Sequence, residues 1–231
     1  MASKHHRRVL AIDIGGSHVK MRVFGRRELR QFESGPDLVP RRMVARVHEL
    51  TGDWTYDAVS IGYPGVVLHG KVVAEPHNLG AGWVGFDFRK AFGRPTHIMN
   101  DAAMQAVGSY EGGRMLFLGL GTGLGSAMIA DGVVAPMELG HLPYKKGRTY
   151  EDYVGERGLK RLGLKKWRRT VAEVVEQLCG VLEADYVVIG GGNARKLKRL
   201  PKNTRLGSND LAFLGGFRVW RHAARGAMPG A

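Results

Sequence analysis

The 231-residue chain is almost free of cysteine: Cys179 stands alone. One thiol excludes a disulfide within the chain and any cysteine-based zinc site. Long apolar runs are missing too. The first short run, residues 9–14, follows Lys4, His5, His6, Arg7 and Arg8 and is broken by Asp13. It is too short for a signal peptide or a membrane span, so a cytoplasmic location and no membrane partner are expected. The sequence has no low-complexity tract and no short tandem repeat. It also lacks two common nucleotide signatures. No Gly-x-x-x-x-Gly-Lys-Ser/Thr occurs, and no Gly-x-Gly-x-x-Gly joins a strand to a helix.

Acidic residues are scarce relative to basic ones, 21 against 35, for a net charge of +14. The imbalance is uneven. Residues 145–231 carry 19 Lys and Arg against 8 acids, whereas residues 1–144 carry 16 against 13. Such asymmetry suits a polyanionic partner, and equally the plainer reading of a solvated basic surface, since composition alone does not locate a patch.

What is present is ordinary globular composition, 44% hydrophobic and 24% charged, enough for one large domain or two small lobes. The 34 glycines cluster at Gly15-Gly16, from Gly119 to Gly125 and from Gly190 to Gly192. Clusters of this kind suit loops where backbone must approach something closely.

Alternation and turn signals predict strands over residues 8–15 and 18–24, joined around Gly15-Gly16-Ser17. A helix over 43–50 follows. A buried strand over 58–62 stops at Tyr63-Pro64-Gly65, and a hairpin over 66–74 turns at His69-Gly70. A strand over 96–99 runs into Asn100-Asp101, a candidate cap for a helix over 102–110. A strand over 115–120 enters the second glycine run and returns over 126–130, closed by Asp131-Gly132. Val171, Val174, Val175, Leu178 and Leu182 give a helix over 167–182. A strand over 186–189 and a helix over 211–220 complete the chain. Twice a strand delivers a glycine-rich hairpin at the start of half the chain. Two lobes with a central cleft are expected, residues 1–112 and 113–231, with a final helix over about 209–222 packing back on the first lobe.

Several groups carry chemistry. Asp13-Ile14-Gly15-Gly16-Ser17 offers backbone N–H groups and a hydroxyl for phosphate oxygens, with a carboxylate able to hold Mg²⁺ through water. The plain alternative is a Gly-Gly hairpin. Gly119-Leu120-Gly121-Thr122-Gly123-Leu124-Gly125 alternates glycines along a hairpin, which weakens the strands and is better explained by an anion cradle. Asp101 at a strand end suits a general base for phosphoryl transfer, with helix capping as the rival. Glu138 and His141 flank a glycine and can both donate and accept towards vicinal hydroxyls. A metal site is the rival there, with no third ligand at metal-like spacing.

Together these residues resemble the ROK sugar kinase family of the actin-like ATPase superfamily, and within it the glucokinases that use polyphosphate. The matching segments are 11–17, 62–67, Asn100-Asp101, 118–127, Asp131-Gly132, 138–142 and 188–192, in the family's order. The resemblance implies an α/β, ribonuclease H-like fold of two lobes. It implies that Asp101 deprotonates the sugar 6-hydroxyl, and that Asn78, Asn100, Glu138, His141 and Glu151 bind the sugar, with Asp152 a rival for Glu151. It implies Asp13 as the Mg²⁺-organising carboxylate. Gly15, Gly16, Ser17, Gly121, Thr122 and Gly123 would be phosphate cradles, and Gly191 and Gly192 would pack on a nucleotide. Glucose or a related hexose is the implied acceptor, polyphosphate and/or ATP the donor, and a homodimer the assembly, with nucleic acid not expected as a partner.

The family's cysteine-rich zinc motif is absent, so no structural zinc is expected, and the segment between Glu151 and Val187 looks trimmed. Two basic clusters could carry polyphosphate: Lys160, Arg161, Lys165, Lys166, Arg168 and Arg169, or Arg195, Lys196, Lys198 and Arg199. A strictly ATP-dependent kinase is one alternative, favoured by Gly190-Gly191-Gly192. A silent sugar- or polyanion-binding regulator is another, opposed by the intact Asp13, Asn100, Asp101, Glu138 and His141.

Overall fold

A computed structural model describes residues 7–208 and 210–223, with side chains to residue 220. Lys4, His5, His6, position 209 and the residues beyond 223 lie outside the described residues. Strand β1 (Val9–Ile14) is buried at every position but Asp13, the mark of a central strand covered on both faces. It pairs antiparallel with β2 (His18–Val23), which pairs with β3 (Arg30–Glu33). On its other side it runs parallel to β4 (Ala58–Tyr63), which runs parallel to β7 (Thr96–Asn100). The first sheet thus has the order β3-β2-β1-β4-β7. The two-stranded hairpin β5 (Val67–Leu68) and β6 (Lys71–Val72) lies apart from it.

The second sheet repeats this pattern: β8 (Arg114–Leu120), β9 (Leu124–Ala130) and β10 (Val133–Met137) meander antiparallel, and β13 (Tyr186–Gly190) and β14 (Thr204–Leu206) add in parallel. Parallel neighbours require crossovers. In the first sheet α1 (Pro40–Leu50) supplies one, with proline at its first turn. In the second, α5 (Glu156–Val181) does so. Two cores result, one under each sheet, with Trp83 fully buried in the first and Trp167 in the second.

A third core lies between the sheets and is built on α3 (Asp101–Ser109) and α6 (Asp210–Ala223). These helices touch backbone to backbone. A Cβ on Gly108 would land on the Leu211 carbonyl, and one on Gly215 on the Met104 carbonyl. Arg218 donates from Nη1 to the carbonyls of Val107, Gly108 and Tyr110 at 3.0, 2.9 and 3.2 Å, satisfying the open end of α3. Gly216 sits against Ala11 and Ser60 of the first sheet. The Ser60 hydroxyl donates to the Gly216 carbonyl at 2.6 Å and accepts from Trp220 Nε1 at 2.8 Å. The last helix among the described residues therefore packs on the first sheet.

The structure adds elements that the pattern did not predict: β3, β10, β14, α2 (Phe88–Phe92), the hairpin β11 (Pro143–Lys145) and β12 (Arg148–Thr149), and α4 (Tyr150–Val154). The helix predicted from 167 begins at Glu156 and kinks at Gly163, where φ is 71°.

Candidate active site

The first glycine turn is held from beneath. Gly15 donates its N–H to the His18 carbonyl at 2.9 Å, and Ser34 Oγ donates to the Gly15 carbonyl at 2.7 Å. Gly16 and Ser17 are exposed. The Asn78 side-chain amide lies beside Gly16, 3.9 Å from where a Cβ would be. The Asn78 loop is fixed by Glu75, whose carboxylate accepts the N–H groups of Trp83 and Val84 at 3.1 and 3.2 Å. Nothing in the sequence pattern marked Glu75.

Asn100 caps α3: its Oδ1 accepts the Ala103 N–H at 3.1 Å and its Nδ2 donates to the Gly65 carbonyl at 3.1 Å. The capping reading is thus right for Asn100, while Asp101 begins the helix proper and accepts the Ala102 N–H at 2.8 Å. Where β4 ends, a Cβ on Gly62 would come within 3.4 Å of the Asp101 Cα. One residue on, the Ala102 methyl lies 3.0 Å from the Cβ position of Gly125. The first turn of α3 therefore bridges the first sheet and the second glycine hairpin, with Asp101 between them.

Loss of water around the half-buried Asp13 carboxyl pushes it up to about 6, against the pull of Lys20, its cross-strand neighbour. Burial, and then the charge of Asp13, push Asp101 up to about 7, with the Ala102 N–H opposing and Glu138 adding to the rise. Two interacting carboxylates in one cleft suit a proton acceptor working near neutral pH. They also fit Mg²⁺, which takes hard oxygen ligands from one or two carboxylates and completes its shell with water and phosphate oxygens. Among the described residues, no group of three or more His, Cys, Asp or Glu forms a metal cage.

The second glycine hairpin is tied to three other segments. Glu151 on α4 accepts the Leu124 N–H at 3.1 Å, and a Cβ on Gly123 would land on its carboxylate. Glu156 donates its N–H to the carbonyls of Gly121 and Thr122, both at 3.1 Å. Asn193, in the loop after β13, donates its N–H to the Leu120 carbonyl at 2.9 Å and its Nδ2 to the Gly121 carbonyl at 3.0 Å. Gly191 is left-handed, with φ 82°, and its Cβ would land on the Leu120 carbonyl. Gly192 is exposed beside it. Asn193 was missed because an asparagine after three glycines reads as loop; its signal is burial.

Glu151 and Asp152 take different roles. Asp152 closes a capping box with Thr149, accepting the Thr149 N–H at 3.1 Å. Glu138 precedes a short 3₁₀ turn that ends at His141, with Nδ1 of His141 3.8 Å from Glu138 Oε2, and both side chains are half exposed.

The model of the ROK family matches residues 9–154, which hold the first glycine turn, Asp101, the second hairpin and Glu151. The chain belongs to the ROK family. A polyphosphate glucokinase of Mycobacterium tuberculosis is 28% identical over 209 residues, 80% of this chain and 77% of that one. That of Mycobacterium leprae is 29% identical over 221 residues, 85% and 66% of the two chains. Among solved structures, the inorganic polyphosphate/ATP-glucomannokinase of Arthrobacter sp. strain KM superposes with a TM-score of 0.79 at 23% identity, covering 95% of this chain and 99% of that one. This ROK chain thus has the two-lobed, actin-like ATPase fold.

Proposed function

We propose that this ROK protein transfers a phosphoryl group from inorganic polyphosphate to the 6-hydroxyl of glucose. The observation that carries this reading is the position of Asp101. It starts α3 between the two glycine hairpins, with its pKa pushed up to about 7 by burial and then by Asp13. The names of the mycobacterial relatives and of the Arthrobacter structure support the donor and acceptor.

In this mechanism Asp101 takes the proton of the 6-hydroxyl as its oxygen attacks the terminal phosphorus. The bond from that phosphorus to the rest of the donor breaks, and the shortened donor leaves. Asn78, Asn100, Glu138, His141 and Glu151 orient the sugar. The N–H groups of Gly16, Ser17, Thr122 and Gly123, with the two hydroxyls, cradle the donor phosphates, while Gly15 and Gly121, whose N–H groups bond the carbonyls of His18 and Gly123, shape the two turns. Asp13 would hold Mg²⁺ through water, and the ion would supply neutralisation of the donor's charge. The division at residues 112–113, a homodimer and a cytoplasmic location belong to the same reading. It rests on the resemblance and on the single Cys179. Among the described residues, no helix is long and apolar enough to cross a membrane.

ATP as an additional donor is a second reading, supported by the exposed Gly192 and by the Asn193 bridge from that loop to Gly121. The test is glucose 6-phosphate formation by the pure protein with Mg²⁺ and either long-chain polyphosphate or ATP. Product with polyphosphate supports the first reading. Product with both donors supports the second as well, product with ATP alone overturns polyphosphate as the donor, and product with neither overturns both.

A further inference from the structure

Away from the cleft, the hairpin β11–β12 and helix α5 enclose a pocket of about 670 Å³. Six cations line it: Lys145, Lys146, Arg148, Arg161, Lys166 and Arg169. Its one acid, Glu173, is already occupied by Lys145 at 3.0 Å and the Tyr144 hydroxyl at 3.4 Å. Among the described residues, Lys146, Arg148 and Lys166 form no ion pair, and Arg169 only adds to the field that Lys145 exerts on Glu173. Unpaired like charges around one concavity repel each other and are relieved by an anion.

The backbone bends to gather them. Lys146 holds a left-handed conformation, φ 53°, in a turn that asparagine or glycine would fill with less strain. On a straight helix Arg161 and Lys166 would point about 140° apart. The kink at Gly163 lies between them, and both line the same pocket.

We infer that this pocket holds the distal part of a condensed phosphate chain whose terminal group is the phosphoryl donor; the inference rests on the sugar kinase reading. The pocket and the second glycine hairpin share α4 as a wall. Glu151 of that helix meets Leu124, while Tyr153 lines the pocket and the Asp152 carbonyl accepts Arg161 at 2.8 Å. A helix is about 10 Å across with its side chains, so a long chain reaches both places and a short one does not. A nucleic acid fits less well. Single strands bind by stacking bases on free aromatic faces. Here Arg161 lies over Tyr153 at 4.7 Å, and Tyr144 has Lys145 over it at 4.5 Å and stacks on Tyr150 at 4.7 Å.

The test is calorimetric titration of the full chain with long-chain polyphosphate and with tripolyphosphate, at several salt concentrations and without sugar. The combined variant Lys146→Ala, Lys166→Ala and Arg169→Ala should bind the long chain about tenfold more weakly, and its preference for the long chain should fall by a similar factor. By analogy with nucleic-acid phosphates, the slope of log affinity against log salt should drop by about two to three. Lys198→Ala with Arg199→Ala, on the other basic cluster, should change neither. Unchanged affinity and slope in the first variant, or equal losses in the second, would overturn the assignment. So would displacement of the chain by a single-stranded oligonucleotide at matched phosphate concentration. Pocket-dependent binding by a protein that makes no glucose 6-phosphate would support the pocket and remove only the reaction.

Discussion

The carboxylate of Glu151 accepts a hydrogen bond from the backbone N–H of Leu124 at 3.1 Å. Helix α4 is thereby fastened to the second glycine hairpin at the point where Gly123 leaves room for the acid. Its neighbour Asp152 caps the helix with Thr149.

The two acids should therefore separate function from stability. Glu151→Ala leaves the Leu124 N–H unpaired and removes the proposed sugar ligand, so kcat/KM for glucose should fall by about 10- to 100-fold, a loss of roughly 1.4–2.7 kcal/mol. Gly123→Ala should lower it in the same direction by displacing the carboxylate. Asp152→Ala should cost about 1 kcal/mol of stability and leave kcat/KM for glucose unchanged. Steady-state kinetics beside chemical denaturation check this, and the reverse pattern would reassign the pair.

Asp101 predicts an opposite pairing, lost activity with gained stability. Its folded pKa, about 7, lies above the ordinary 3.8. The folded state then holds this proton more tightly than the unfolded chain, so the stability it confers is present below pH 3.8 and is lost as pH rises through 7. Asp101→Asn should stabilise the fold at pH 8 by about 2 kcal/mol, a value reduced from the full shift because the carboxylate is partly solvated. At pH 3 it should change nothing. Thermal melts at both pH values decide the matter; a variant equally stable at pH 8 would refute the buried charge. In the wild type, kcat/KM should rise with pH and level off above about 7.

Helices α3 and α6 cross with no room for a methyl group. Gly215→Ala drives a Cβ into the Met104 carbonyl and should cost about 3 kcal/mol, since well-packed backbones must separate. Urea denaturation measures this. A loss under 0.5 kcal/mol would mean that the crossing is looser than described.

Much of this fold is legible in the sequence where local and tertiary demands agree. Residues 9–14 are apolar apart from Asp13, and 131–132 adopt the left-handed pair that Asp-Gly favours. Strands β3 and β14 escaped because they are short edge strands rich in polar residues, whose pairing comes from neighbours distant in sequence. The amino-terminal part of α5 escaped because Gly163 interrupts its period. In the site, glycines and acids were visible as types, but their partners were not. That Glu151 meets Leu124, and that Asn193 ties one loop to another, depends on a side chain meeting backbone from 27 and 72 residues away.

The most direct test of the account compares wild-type protein with Asp101→Asn for glucose 6-phosphate formation at saturating polyphosphate and Mg²⁺, with glucose binding measured on both. Turnover should fall by about 10²- to 10⁴-fold, with glucose affinity retained within a few-fold. Turnover close to wild type would contradict the assignment of Asp101 as the base.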